Sequence, residues 1–326
     1  MKSSYVLCSA FKDDIAQFID LKRSFGFSYD VGKGTLMDFD NFCISNEMDN
    51  GVLDRELVTA WSQQLPSECI NTRNARVSVV RQFALFLTSK GRSAYIPKRM
   101  RSQPISPPHV LSDEELKGFF DVVDAYVSPE HHLYRFSLVY PVLFRMLYSC
   151  GMRLAEACHL RCESIDLDSS EITILHSKGE KDRKIFMSED LRALCVSYDQ
   201  KMGCILPARQ WFFPGLDASK HINKTMISNR FKKFWSMTSY AGTVDRQPTA
   251  HCLRTTFVVN RVNKWIQEGR TLDKCLPYLC RYLGHASVAN SWYYYHMVEK
   301  ALPIILDKDL LGVRIIPEVR DEDEIE

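Results

Sequence analysis

No apolar run in the 326 residues approaches the roughly 18 needed to cross a bilayer, so a helical membrane protein is not expected. The opening stretch MKSSYVLCSAFKDD has a short apolar patch that soon meets Lys12, Asp13 and Asp14, which makes it a poor signal peptide. A cytoplasmic location follows as the expectation. Cysteine is plentiful at eleven residues, but the count is odd and no C-x-x-C pair or regular spacing occurs. Reduced, mostly buried thiols are expected rather than a disulfide framework. The nearest metal-like grouping is Cys158-His159 with Cys162, and helical spacing does not bring those three side chains to one point. There is no nucleotide-binding glycine loop and no carboxylate-rich metal site, so no cofactor is expected. No internal repeat is evident.

What the chain does contain is a 45% hydrophobic and 25% charged composition, that of a globular protein. Its length suits two domains of ordinary size, each with its own core. The net charge is +2, but the final six residues, DEDEIE, hold five carboxylates, and without them the chain sits at +7. That surplus permits contact with a polyanion. The acidic end, 314–326, reads as a disordered tail.

The pattern predicts a mainly α (α+β) protein. Helices are expected at 9–24, 34–46, 54–65 and 72–90, forming an N-terminal helical bundle over 1–95. In the last of them Val77, Val80, Ala84 and Leu87 recur at three- and four-residue steps, with Phe83 widening the stripe. A linker is expected over 96–110, within the proline-rich, basic stretch 92–110, which reads as an exposed connector. A second domain, 111–313, opens on Ser112-Asp-Glu-Glu115, a capping box. Helices follow at 134–149 and 153–161, then a hairpin from the β-prone runs 171–176 and 183–187. Further helices are expected at 188–201, 225–238, 251–267, 272–283 and 287–296.

Four segments carry chemistry: YSCGMRLAEACHLR (148–161), HSKGEKDRK (176–184), HCLRTTF (251–257) and YLGHASVANSWYYYH (282–296). In order and spacing they resemble the signature of the tyrosine recombinases. That signature is an Arg within G-x-R-x-x-E, a Lys in a β-hairpin turn, H-x-x-R, then L-G-H with a Tyr nine residues after its His. Position by position, the matches are Arg153, Lys178, His251, Arg254, His285 and Tyr294. Lys181, three residues beyond Lys178, is the rival for the lysine. The resemblance covers the whole second domain and extends loosely to the first, which looks like the family's core-binding domain. Three departures stand out: Cys150 before Gly151, Met152 in place of the common Leu, and Thr255 where a second His is frequent. None removes a catalytic group.

The residue types suit an attack on a phosphodiester. Two guanidiniums can grip the non-bridging oxygens with forked, permanently charged donors. A tyrosine hydroxyl, with a pKa of about 10, needs positive neighbours before it becomes a useful nucleophile. The resemblance implies that Tyr294 attacks and leaves a 3′-phosphotyrosine. It also implies that Lys178 protonates the departing oxygen, His251 moves the tyrosine proton, and His285 donates a further hydrogen bond. Rejoining then needs neither ATP nor a metal. The bland alternatives are a capping role for Arg153, an ion pair between Glu156 and Arg153, a structural His251, and core packing for Tyr293 and Tyr295.

The implied partner is double-stranded DNA, with a tetramer on two DNA sites and, as a further option, a sister recombinase or accessory factor. Candidate phosphate contacts are Arg73, Arg76 and Arg81, then Lys98, Arg99 and Arg101, with Lys181, Lys224, Arg230, Lys232 and Lys233 in the second domain. The apolar stretch 299–313 packs either on a neighbouring protomer or on its own domain. The expected function is site-specific recombination of a mobile element. The alternatives are resolution of chromosome dimers, a catalytically silent DNA-binding protein on the same fold, and a relaxing enzyme of the type IB topoisomerase kind.

Overall fold

The computed structural model describes residues 6–104, 107–130, 133–175, 182–244 and 246–284, with the side chain of Asp273 excepted. The expected helix at 287–296, the stretch 299–313 and the acidic tail lie outside these residues. The chain divides into two compact units, Met1–Ser106 and Pro107–Glu326.

The first unit is built from α1 (Lys12–Ser24), α2 (Asp30–Ser45), α3 (Arg55–Trp61) and α4 (Ile70–Ser89). The α4 stripe is its backbone: Val77, Val80, Phe83, Ala84 and Leu87 are all buried. They meet Phe11, Phe18, Phe39 and Trp61 in a largely aromatic core. Start signals come from different chemistry at each helix. Asp40 of α2 accepts from the amides of Cys8 and Ser9, just ahead of α1. Asp54 caps α3 by accepting from the Leu57 amide at 2.8 Å.

Two expectations need correction here. Helix α2 begins four residues before 34, because Gly32 sits inside it rather than before it. Tyr29 caps it at φ 54°, and its ring lies so close to Gly32 that an added Cβ would fall 2.4 Å from the ring carbon Cζ. Glycine is therefore a packing requirement here. The stretch after α4 is also not a free connector. Ala94, Tyr95, Ile96 and Met100 pack on the first core. Asn74 of α4 donates to the Arg101 carbonyl at 3.0 Å, and Asn71 both donates to Gln103 and accepts from it.

The second unit holds α5 (Asp113–Asp124), α6 (Arg135–Ser149), α7 (Leu154–Cys158), β1 (Ile165–Asp166), β2 (Glu171–Ile174), β3 (Arg183–Phe186), α8 (Glu189–Ile205), α9 (Lys224–Ser236), α10 (Ala250–Gln267) and α11 (Leu272–Leu283). Ser112 and Glu115 form the expected capping box on α5. The sheet has three antiparallel strands in the order β1-β2-β3, one more than the expected hairpin. In the β2–β3 register Ile172 faces Ile185 and Ile174 faces Arg183. Helix α7 stops at Cys158, three residues short of the expected end.

Helix α6 is the centre of this unit and packs against both α8 and α10. Phe119, Tyr140, Phe144, Phe231 and Phe234 interlock around it in mostly edge-on ring contacts. A second cluster joins Phe257, Val258 and Val262 of α10 to Leu276, Leu279 and Leu283 of α11. Among the described residues, no helix is long and apolar enough to cross a membrane.

Between α6 and α7 the chain turns through Gly151 at φ 58°. A Cβ there would lie 2.4 Å from Cδ1 of Phe257. Gly151→Ala therefore combines left-handed strain with overpacking, expected to cost about 2–4 kcal/mol. A thermal melt checks this; the transition of the second unit should fall by several degrees, and an unchanged melt would refute the close packing.

Candidate active site

Four elements bring the described site residues together. Arg153 stands at the N-cap of α7, His251 and Arg254 lie in the first two turns of α10, Arg183 opens β3, and the C-terminal end of α11 closes the group. The end of α11 is unusual in how its carbonyls are satisfied. The last four carbonyls of a helix lack intrahelical partners. Arg183 Nε donates to the Tyr282 carbonyl at 2.6 Å, Arg254 Nη2 to Leu283 at 2.9 Å, and Arg153 Nη2 to Gly284 at 2.5 Å. Three guanidiniums from three elements thus grip three consecutive carbonyls, directly before His285.

Gly284 explains the glycine of the L-G-H segment. It ends α11 at φ 65°, and an added Cβ would lie 3.0 Å from Arg183 Nη1 and 3.2 Å from Arg153 Nη1. A side chain there would strain the left-handed turn and press on the tips of both guanidiniums, which glycine avoids.

Glu156 organises the cluster. Its carboxylate accepts from the Arg153 amide at 2.8 Å and from Arg153 Nη1 at 2.7 Å. It also accepts both Nη groups of Arg183, at 2.9 and 2.8 Å. The Glu156 side chain is only 6% exposed and that of Arg183 7%. Burial pushes the Glu156 carboxyl up, but the hydrogen bonds and charge of Arg183, followed by the hydrogen bonds of Arg153, outweigh it and hold the group below its ordinary value. Three guanidiniums against one carboxylate leave two surplus positive charges in this region.

Arg254 is the deepest member at 1% exposure, and its Nη1 donates to the Gly151 carbonyl at 2.6 Å. His251, one turn before it, keeps an exposed edge. Its pKa is lowered, first by burial of part of the ring and then by the charges of Arg254 and Arg153. A neutral imidazole at pH 7 is a proton acceptor. The sign follows directly: the acid limb of any reaction using His251 as base is expected below its unperturbed value of about 6.5. Folding stability linked to this group should decline as pH falls through about 6.5 toward the lower folded value. A pH–rate profile of single-turnover cleavage tests this; a rate already falling at pH 7 would count against it.

A cleft of about 550 Å³ adjoins the cluster, lined by Arg153 and Glu156 on one side and by His159, Arg161, Thr173 and Trp211 on the other. In the first unit a cleft of about 380 Å³ runs between α4 and the segment docked on it, lined by Asn71, Asn74, Arg81, Lys98 and Arg99.

The structure sorts the sequence-derived candidates. Arg153, His251 and Arg254 share one site, while Lys178, Lys181, His285 and Tyr294 lie outside the described residues. Lys98, Arg99, Arg101, Lys224, Lys232 and Lys233 are exposed. Arg73 is half-buried and donates to Asn74 Oδ1, and Arg81 is turned onto the Pro97 carbonyl. Two candidates have partners within the protein. Arg76 pairs with Glu68, donates to the Trp61 and Gln63 carbonyls and stacks on the Trp61 ring, so it knits α3 to α4. Arg230 lies over the rings of Tyr126, Tyr140 and Phe234. Arg183 was not among the expected residues. Its signal was present, since a two-residue period puts it on the same inward face as Ile185.

The sequence profile of the phage integrase family matches residues 110–300. The chain belongs to that family, the tyrosine recombinases. Among its relatives, the Sinorhizobium fredii protein named integrase/recombinase y4rB is 27% identical to this integrase over 305 residues, spanning 88% of this chain and 92% of its own. Tyrosine recombinase XerC of Bacillus pumilus is 26% identical over 239 residues, covering 71% and 72%. The fold is shared with the Tn1549 transposon integrase solved with a circular intermediate DNA: TM-score 0.63, 13% identity, 90% of this chain and 99% of that one. It is also shared with the XerH recombinase solved on a palindromic difH substrate: TM-score 0.62, 18% identity, 92% and 84%.

Proposed function

We propose that this integrase cuts and rejoins double-stranded DNA through a 3′-phosphotyrosyl intermediate on Tyr294, in the integration or excision of a mobile element. The observation that carries the reading is the convergence of Arg153 and Arg254 on the carbonyls of Gly284 and Leu283, one residue ahead of His285. Two guanidiniums 101 positions apart in sequence are thereby brought to one place, where a phosphate diester can be gripped by both.

In the proposed step the Tyr294 oxygen attacks phosphorus and the bond to the 5′ oxygen breaks. Neutral His251 takes the phenolic proton, and Lys178 delivers one to the leaving 5′ oxygen. Arg153, Arg254 and His285 hold the charge that builds on the non-bridging oxygens. Reversal with a different 5′ hydroxyl rejoins the strands. No ATP or cofactor enters, because the phosphotyrosyl ester keeps the bond energy. Lys98, Arg99 and Arg101 beside the first-unit cleft, together with Lys224, Lys232 and Lys233 of α9, supply phosphate contacts on the DNA, and four protomers assemble on two sites.

The transposon origin of the Tn1549 integrase and the names of the S. fredii relatives support the mobile-element role. Similarity to XerC favours a second reading, resolution of chromosome dimers. Denaturing capture of covalent protein–DNA complexes from expressing cells, with sequencing of the attached DNA, tests both. Ends of an element are the expected result. A single chromosomal locus outside any element would establish the second reading, and scattered sites would indicate a relaxing enzyme. Absence of any covalent DNA, with a nicked trapping substrate also silent, would overturn strand cleavage.

A further inference from the structure

We propose that Arg183 is a positioning residue for strand cleavage: it neutralises Glu156 and fastens β3 to the end of α11, so that the Arg153 guanidinium is held in place with its charge uncancelled. This assignment rests on the strand-cleavage reading above.

Arg153 and Glu156 are three residues apart and bonded twice, through Nη1 and through the backbone amide. Alone they form a neutral pair, and a neutral pair offers an incoming phosphate little attraction. Arg183 changes the balance. Its fork meets both oxygens of the same carboxylate, at 2.9 and 2.8 Å. The trio then carries one net positive charge in a region where Glu156 and Arg183 are almost out of water. Buried charges at this depth are weakly screened, so the difference between zero and one is felt strongly at the neighbouring guanidinium.

Geometry makes the second part of the case. Arg183 uses Nε for the Tyr282 carbonyl while both Nη groups hold Glu156, so one rigid plane joins β3, α7 and α11. Lysine, a flexible point charge, cannot make these three bonds together. Arg183 also stands two residues beyond the stretch 176–181, which follows β2 in the chain and contains Lys178. It therefore anchors the base of the segment bearing the proposed general acid to the carboxylate that orients Arg153.

The test uses single-turnover cleavage of a nicked duplex carrying the captured site. A second duplex has a methylphosphonate at the scissile position, which removes the non-bridging charge. For Arg183→Lys the dissociation constant for the duplex should stay within about twofold of wild type, since no DNA contact is removed. Cleavage of the phosphate substrate should fall roughly 10²-fold, the scale of a misplaced catalytic group. Arg183→Gln, which also loses the charge, should fall further. On the methylphosphonate duplex the gap between wild type and either variant should nearly close, because there is no oxygen charge for Arg153 to meet.

The double variant Arg183→Met/Glu156→Gln buries no charge and returns the surplus to Arg153. It should cleave faster than Arg183→Gln and provides a folded comparison if the single variants do not fold. Equal losses on the two substrates would indicate a general structural defect and overturn the proposal, as would wild-type cleavage by Arg183→Lys. If wild type cleaves neither duplex, it is the strand-cleavage reading that fails, and the silence of wild type itself distinguishes that result.

Discussion

Tyr294→Phe is expected to leave no covalent protein–DNA complex under denaturing conditions, while retaining wild-type affinity for the same duplex. Loss of the nucleophile in covalent catalysis costs on the order of 10⁶ in rate, well below what a capture assay detects. The informative controls are its neighbours. On the helix that the sequence predicts at 287–296, successive residues would point about 100° apart, so one of Tyr293, Tyr294 and Tyr295 is expected to meet the phosphate proposed for Arg153 and Arg254. Tyr293→Phe and Tyr295→Phe should both retain capture. If Tyr293→Phe or Tyr295→Phe is the silent variant, the nine-residue spacing from His285 has misassigned the nucleophile. If all three retain capture, the enzyme does not use a phenol from this segment.

Arg254→Ala should be the most damaging change among the described site residues, because it acts on folding and chemistry together. Arg254 is buried and donates to the carbonyls of Gly151 and Leu283, the two ends of the loop and helix that frame the site. Removing it orphans both acceptors at about 1–3 kcal/mol each and withdraws one cation from the proposed phosphate site. The melting temperature of the second unit should drop by several degrees, and cleavage should fall by at least about 10²–10³. Arg254→Lys separates the two effects: it restores charge but reaches at most one carbonyl, so it should recover binding better than rate. A fully stable, fully active Arg254→Ala would remove the residue from the mechanism.

Much of this arrangement was legible before any coordinates, for identifiable reasons. The α4 stripe and the Ser112–Glu115 box depend on neighbours three or four positions away, and local spacing suffices to read them. Gly151 and Gly284 sit within the quoted segments, but their left-handed turns are findings of the structure. What sequence could not supply was partnership at long range. Arg183 meets Glu156 from 27 positions away and Tyr282 from 99. The two-residue period gives its inward face but not the partners it meets there. Arg76 shows the same limit: a basic residue on a basic helix gives no sign of the Glu68 carboxylate and the Trp61 ring that surround it. The early start of α2 was hidden for a similar reason, since Gly32 answers to the Tyr29 ring and not to backbone preference.

The cysteines around the arginine cluster bear on how this enzyme meets oxidants and electrophiles. Cys150 directly precedes Gly151 and Cys158 ends α7, and burial pushes both thiols up to about 12. At neutral pH only about one molecule in 10⁵ would carry the thiolate at either position, and the thiolate is the species that reacts. Cys8, Cys69 and Cys204, by contrast, lie at the surface. Alkylating reagents or peroxide should therefore mark the periphery first, leaving the sulfurs of Cys150 and Cys158 intact.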